Sequence, residues 1–365
     1  MDIDFVVSWV DMNDPEWKKS FAKAKGTIDN SQNQYSEARF RDYGFLKYWF
    51  RGVEKFAPWV RKVHFVTCGQ KPEWLDTSNP KLNLVNHTDY IPEKFLPTFN
   101  SSIIELFFNR IPGIADRFVY FNDDTYIISP TSPTRFFAEN GLPHDIAAFR
   151  FNTGMSLWSK LLENNIRIIN EHFNKKDVLK RDHDKWFCRE YGSKANVTRF
   201  LKWYDKFITL VVPHNAQPYL KSTYDEVWKN VAPELEAASV HQFRHPADYT
   251  QELFRTWQIC DSNFEPYNTY KDTKMFPLMV KPKKAVAAIR NQKYKLVCIN
   301  DSVHIRNYDQ VMQNLEAAFE SILPEKSSFE LYLQLYRNNH YPSRAWNSIF
   351  CARDHGLQVT SICYC

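Results

Sequence analysis

A mostly parallel α/β sheet with helices on both faces is the fold this sequence predicts, and two observations predict it. Four short β-rich apolar runs, Phe5 to Val10, Val63 to Cys68, Leu82 to Val85 and Phe118 to Phe121, are spaced through the first third of the chain. Helical patterns separate them. Strands alternating with helices imply crossover connections, hence parallel pairing and a sheet covered on both sides.

The elements follow in order. Leu46, Trp49, Phe50, Val53 and Phe56 recur at the three- and four-residue spacing of one helix face. Ile103, Ile104, Phe107 and Phe108 repeat that spacing after Ser101 and Ser102, which are the expected N-cap. Near the C-terminus Val311, Leu315, Ala318, Phe319 and Ile322 predict a helical tail.

The chain has 365 residues, 44% hydrophobic and 16% aromatic, enough to bury a sizeable core. No stretch reaches the roughly 18 consecutive apolar residues of a membrane helix. The start, "MDIDFVVSWVDMND", lacks the basic flank of a signal peptide, so a cytoplasmic protein is expected. Seven cysteines, an odd number, fit a reduced compartment better than a disulfide framework. In that setting the glycosylation-type triplets at Asn86, Asn100, Asn196 and Asn300 are read as chance.

The net charge of +5 is matched by the segment 166–207, with eleven basic against six acidic residues, and the remainder is balanced. Phe173, Trp186, Phe187, Phe200, Trp203 and Tyr204 interleave with those charges. Such a segment is either a solvated amphipathic face or a dock for an anionic polymer or a membrane surface. Glycine is scarce, nine in all, and neither G-x-G-x-x-G nor G-x-x-x-x-G-K-[ST] occurs. A bound nucleotide would therefore be held by side chains, helix N-termini and a metal.

In open parallel sheets ligands sit beyond the carboxyl ends of the strands. The polar residues there are Asp11 and Asp14, Gly69 and Gln70, and Asn122, Asp123 and Asp124. Paired carboxylates could hold Mg²⁺ or Mn²⁺ against a diphosphate, because hard cations take oxygen ligands. Adjacent acids on a strand point to opposite faces, so both serve one site only where the chain turns. A hydrated turn is the other reading of "NDD".

Four blocks in order carry a family resemblance: "DIDFVVSWVDMNDPEW"; "RFRDYGFLKYWFRGVEKFAPWVRKVHFVTCGQKPEWLD" continuing to "LPTFNSSIIELFFNRIPGIADRFVYFNDDTYI"; "VVPHNAQPYLKS" with "FRHPADYTQ"; and "LVCINDS". The chain resembles the Stealth family of sugar-1-phosphate transferases, bacterial capsule enzymes related to the catalytic core of the lysosomal-enzyme GlcNAc-1-phosphotransferase. Met12 stands where the family usually has glycine, and Ser302 where it often has a second acid.

The resemblance implies a Rossmann-like fold of the glycosyltransferase-A type, with a nucleotide-sugar-binding half over 1–150, a helical basic-aromatic insertion over 151–210, a second catalytic part over 211–310 and a helical tail over 311–365. It implies transfer of hexose- or N-acetylhexosamine-1-phosphate from a UDP-sugar to a glycan hydroxyl, with UMP released, in capsule or cell-surface polysaccharide synthesis. Asp123 and Asp124 are then catalytic, as metal ligand, as base, or with the roles split; His214 matches the family's active-site histidine, and Arg244 fits a clamp on the transferring phosphate. Trp9, Asp11, Arg41, Asp42, Asn100, Asn122, Lys221, His245 and Asn300 are expected to line the substrate pocket. Trp9 reads equally well as core. Asp301 would join Asp124 around Mg²⁺ or Mn²⁺.

The expected partners are the UDP-sugar, an oligo- or polysaccharide acceptor that is anionic if the basic segment binds it, and the inner membrane face as a peripheral contact; nucleic acid is not expected. Two other functions share these signals. A metal-dependent glycosyltransferase would attack C1 and release UDP, and a non-catalytic glycan-binding module would tolerate changes at His214 and Asp124.

Overall fold

The computed structural model describes residues 1–26, 44–152, 154–300 and 304–331. In chain order the strands are β1 Asp4–Ser8, β2 Val63–Thr67, β3 Leu82–Asn86, β4 Arg117–Phe121, β5 Thr125–Ile127, β6 His144–Asp145, β7 Gln217–Leu220, β8 Glu265–Pro266, β9 Thr273–Pro277 and β10 Leu296–Asn300. The helices are α1 Pro15–Lys25, α2 Leu46–Phe56, α3 Ser101–Leu106, α4 Leu157–His172, α5 Lys175–Arg181, α6 His183–Trp186, α7 Ser193–Leu201, α8 Lys221–Ser239, α9 Glu252–Cys260, α10 Pro282–Arg290 and α11 Tyr308–Ile322.

The main sheet has the order β3-β2-β1-β4-β7, with β1 parallel to β2 and β4, β2 parallel to β3, and β7 antiparallel to β4. This is the parallel-rich sheet that the alternating pattern predicts. The two faces of β1 and β4 belong to different cores, as the two-residue strand period requires. Val6, Phe118 and Tyr120 enter one cluster with α8 and α9, while Phe5, Val7, Val119 and Phe121 enter another with α2, α10 and α11. Burial on both faces is why these strands read as unbroken apolar runs.

The chain leaves β1 toward β2 on one side and returns to β4 on the other, so the topological switch point lies between β1 and β4. A smaller sheet, β5-β10-β9, abuts that point: β5 begins one short turn after β4 and pairs antiparallel with β10. Gly52 lets α2 approach β5 closely, since a Cβ there would sit 2.6 Å from the Ile127 carbonyl oxygen.

Local chemistry starts the helices. Asp14 accepts from the Trp17 amide at 2.7 Å with Pro15 in the first turn of α1. Asn100, rather than Ser101 or Ser102, caps α3 by accepting from the Ser102 amide at 3.2 Å. α8 kinks at Val231 because Pro233 cannot donate within the helix. The C-terminal periodicity is realised in α11, where Leu315, Ala318, Phe319 and Ile322 are buried; the tail beyond 331 lies outside the described residues.

A buried ionic cluster ties α9 to β6. The fully buried Arg255 guanidinium donates to Asp145 at 2.7 to 3.1 Å, to Glu252 at 3.0 Å and to the Val211 and Ile146 carbonyls. Arg255→Met would strand the Asp145 carboxylate without its cation, which typically costs about 3–5 kcal/mol. Urea unfolding should show a lower midpoint at unchanged slope, and an unchanged midpoint would show the cluster to be energetically neutral.

Candidate active site

Asp123 and Asp124 lie in the turn between β4 and β5, not within a strand, so the alternation of faces does not separate them. Three strands meet at this turn. The Thr125 amide donates to the Asn122 carbonyl at 3.1 Å, and the Ile299 amide of β10 donates to the Asp124 carbonyl at 2.8 Å. Cys298 is the register partner of Thr125, which brings Asn300 alongside the acid pair at the carboxyl end of β10.

The Asp124 carboxylate is the most engaged group of the turn. Its Oδ1 accepts from the Thr125 hydroxyl at 3.1 Å, and its Oδ2 accepts from the Cys298 thiol at 3.2 Å. His214 Nε2 stands 3.5 Å from the same Oδ2. His214 comes from the segment leading into β7, whose antiparallel course starts at the end of the sheet where β4 stops. Its side chain is 41% exposed, so the pair faces solvent. The Asp124 carboxylate, with a smaller push from Glu252, raises the His214 pKa above its ordinary value against the opposing effect of burial. Burial and the neighbouring carboxylate hold the Cys298 thiol protonated, as a donor.

Separate hydrogen bonds connect α3 to this turn and to Arg244. The Tyr120 hydroxyl of β4 lies 3.0 Å from Asn122 Oδ1, from Ser8 Oγ of β1 and from Glu105 Oε1 of α3. Ser101, the first residue of α3, accepts from Arg244 Nη2 at 2.6 Å. Burial pushes the Glu105 carboxyl up to about 7, while Arg244 and the Tyr120 hydroxyl favour its charged form.

The remaining expected residues have varied places. Asp11 is at the site end of β1, where its amide and carbonyl exchange hydrogen bonds with the Gln70 side chain at 3.0 and 2.8 Å and so tie the loops after β1 and β2 together. Trp9 is 8% exposed and packs on Phe65, which favours the core reading; its buried indole N–H has no hydrogen-bond partner among the described residues. Asn100 is fully buried, with its side chain capping α3 and donating to Asp248 at 2.7 Å. His245 stacks on His241 at 4.1 Å, and both close on Asp248, whose carboxylate takes His241 Nδ1 and the His245 amide at 2.7 Å each.

Lys221 is not brought to this site. Its amide donates to the Asp116 carbonyl, before β4 begins, so β7 has carried the chain to the opposite end of the sheet from Asp124. Arg41, Asp42 and Asp301 lie outside the described residues.

Glu105, Cys298, Asp248 and Glu252 contribute to the site or its supports and were not singled out from the sequence. Glu105 carried a signal: it is the lone charge in "SSIIELFF", on a helix otherwise turned into the core. Cys298 and Asp248 sat inside matched blocks without a local cue, since their partners are remote in sequence.

The basic-aromatic segment divides in two. Lys175 is buried and donates to the carbonyls of Leu201 and Tyr204 at 2.9 and 2.7 Å, and Lys185 caps the carbonyls of Ser262 and Phe264. Trp186 is core, whereas Phe200, Trp203 and Tyr204 are exposed. Among the described residues no helix is long and apolar enough to cross a membrane. The described cysteines, Cys68, Cys188, Cys260 and Cys298, are free thiols.

Comparison with known proteins gives the family. Residues 39–145, which run from before α2 through the Asp123–Asp124 turn to β6, match the family model described as Stealth protein CR2, conserved region 2. Over 337 residues the chain is 40% identical to the receptor polysaccharide phosphotransferase WefC of Streptococcus gordonii, covering 90% of this chain and 99% of the relative. It is 39% identical over 337 residues to the capsular polysaccharide phosphotransferase WcwK of Streptococcus pneumoniae, with the same coverage. The exopolysaccharide phosphotransferase cps2G of Lactiplantibacillus plantarum is 37% identical over 330 residues, 90% of this chain and 96% of the relative. Identity of 37 to 40% sustained over nine-tenths of the chain shows that the chain belongs to the Stealth family.

Proposed function

We propose that the protein transfers hexose- or N-acetylhexosamine-1-phosphate from a UDP-sugar to a hydroxyl of a polysaccharide and releases UMP, in the synthesis of a capsule or other cell-surface polysaccharide. The observation that carries the reading is the solvent-facing pair of His214 and Asp124 at the switch point of a parallel sheet, 3.5 Å apart. Phosphotransferase relatives of nearly the same length support the reaction class.

In this reading the acceptor oxygen attacks the β-phosphorus, an O–P bond forms, the P–O bond to UMP breaks, and the hydroxyl proton goes to His214. Because Nε2 is turned to Asp124, Nδ1 is the atom left to take that proton. Asp124 fixes the tautomer and stabilises the imidazolium, the usual task of a carboxylate behind a catalytic histidine. Arg244, steadied by Ser101 and balanced by Glu105, offers its remaining guanidinium donors to the phosphoryl oxygens.

A divalent cation at this turn would draw on oxygen donors. Asp123 and Asn300 bring the hard ligands that Mg²⁺ or Mn²⁺ prefers, whereas Cys298 and His214 are softer donors suited to neither. Asp124 already receives three protein donors, so a cation bound through it would compete with them. When bound, the cation would offset charge on the diphosphate.

Incubation with a panel of UDP-hexoses and UDP-N-acetylhexosamines should yield UMP. UDP as the sole nucleotide product from an active donor would overturn the phosphotransfer reading in favour of glycosyl transfer to C1.

A further inference from the structure

The even charge balance outside the segment 166–207 conceals a second basic unit. From Thr273 to Asn300, spanning β9, α10 and β10, the sequence has seven Lys or Arg, at 274, 281, 283, 284, 290, 293 and 295, and no Asp or Glu. Acids elsewhere in the chain cancel it only in the sum. Six of the seven, all but Lys295, are exposed. α10 buries Ala285, Ala288 and Ile289 against its neighbours, and its outer face carries Lys283, Lys284, Ala287 and Arg290.

The helix that packs on α10 does not neutralise it. α11 has three acids against the seven cations: Glu316 and Glu320 accept from Lys47, Tyr48 and Arg51 of α2, and Asp309 lies in the first turn of α11. Amid the cations three apolar side chains are partly exposed: Met275 is 40% exposed on the edge strand β9, and Met279 and Val280, at the tip between β9 and α10, are 53% and 62% exposed.

We propose that this β9–α10 unit seats the protein on an anionic phospholipid bilayer. A soluble anionic glycan would satisfy the lysines, yet glycan sites present aromatic faces and paired hydrogen-bonding groups, and the tip offers neither. Aliphatic side chains ringed by lysine match the boundary between headgroups and acyl chains, with the cations held at the negative surface. The tip is also close to the catalytic turn: the Leu278 amide donates to the Asn300 carbonyl at 3.0 Å, and Met279 follows directly. A seated molecule would hold the Asp123–Asp124 turn near the lipid surface, within reach of an acceptor anchored there. The seating itself does not depend on the reaction assigned above.

Flotation of the full chain with vesicles tests this. Protein should float with phosphatidylcholine vesicles that contain phosphatidylglycerol, should stay behind with pure phosphatidylcholine, and should be released by high salt. Each lysine near an anionic surface contributes roughly fivefold in binding, so Lys283→Glu with Lys284→Glu should weaken partitioning by about 25-fold or more. Met279→Ser with Val280→Ser should weaken it while leaving its dependence on phosphatidylglycerol intact. Unchanged thermal melting would show that these surface variants fold. Wild-type protein that ignores phosphatidylglycerol vesicles, or charge-reversed protein that binds them equally, overturns the proposal. Binding to a soluble polyanionic glycan that is lost in the charge-reversed variant, without any vesicle binding, would overturn it too and give the surface to the glycan.

Discussion

Replacing His214 with alanine is expected to lower turnover by roughly 10² to 10⁴, the usual range for loss of a positioned acid or base, while UDP-sugar affinity is retained. The reasoning is geometric. His214 meets Asp124 through one nitrogen and its side chain is 41% exposed, so on the proposed reading it serves the acceptor hydroxyl and contributes little to holding the donor. Truncation leaves the sheet intact, because the residue precedes β7 and is not core. Turnover and donor affinity measured together separate the roles. Should His214→Ala lose donor binding yet turn over normally at saturation, His214 is a binding residue and Asp123 or Asp124 inherits the proton. Arg244 differs in kind, since a cation that meets the phosphoryl group before and during transfer affects binding and rate together.

Much of the fold that positions this candidate site is legible in the sequence, and what is not has a physical cause. β1, β2 and β4 are legible because burial on both faces makes each a continuous apolar run, and the polar residues that follow such runs must gather at one sheet end. β5, with three residues, and β6 and β8, with two each, are too short to leave a pattern. The pairing of Asp124 with His214 and Cys298 spans 90 and 174 residues, separations at which periodicity is silent and only matched blocks speak.

Lys221 shows the converse error. It is seven positions from His214, but a four-residue strand advances about 13 Å, so neighbours in one block finish at opposite ends of the sheet. Asn100 was expected to line a pocket and is instead buried, because an asparagine that both caps a helix and meets a carboxylate spends its amide on the protein. The seven-cation unit of β9 and α10 escaped a whole-chain charge count because charge acts locally, over about a Debye length, whereas a total averages over the whole surface.

Asp124→Asn should be at least as damaging, with a loss of roughly 10³ to 10⁴ in turnover, and it should leave a signature in pH that a merely structural change would not. An amide in place of the carboxylate can present its N–H to His214 Nε2, which pushes the ring proton onto Nδ1, the atom that must be free to accept. The sign of the pH effect follows from the raised pKa of His214. A base is active when deprotonated, so wild-type activity should climb with pH through a midpoint above the ordinary value of about 6.5. The ion pair with Asp124 contributes stability that is fully present below that ordinary value and is lost as pH rises through the raised one. Without the Asp124 charge the pKa falls back, so the acid limb of the residual activity should move to lower pH and the pH-dependent part of the stability should flatten. Excess chelator divides the remaining possibilities: if wild-type activity survives it, the damage in Asp124→Asn belongs to the histidine, and if wild-type activity disappears, a cation held by the turn shares it. An acid limb that stays in place in Asp124→Asn would mean that His214 is not the titrating base, and the proton would then be assigned to Asp123.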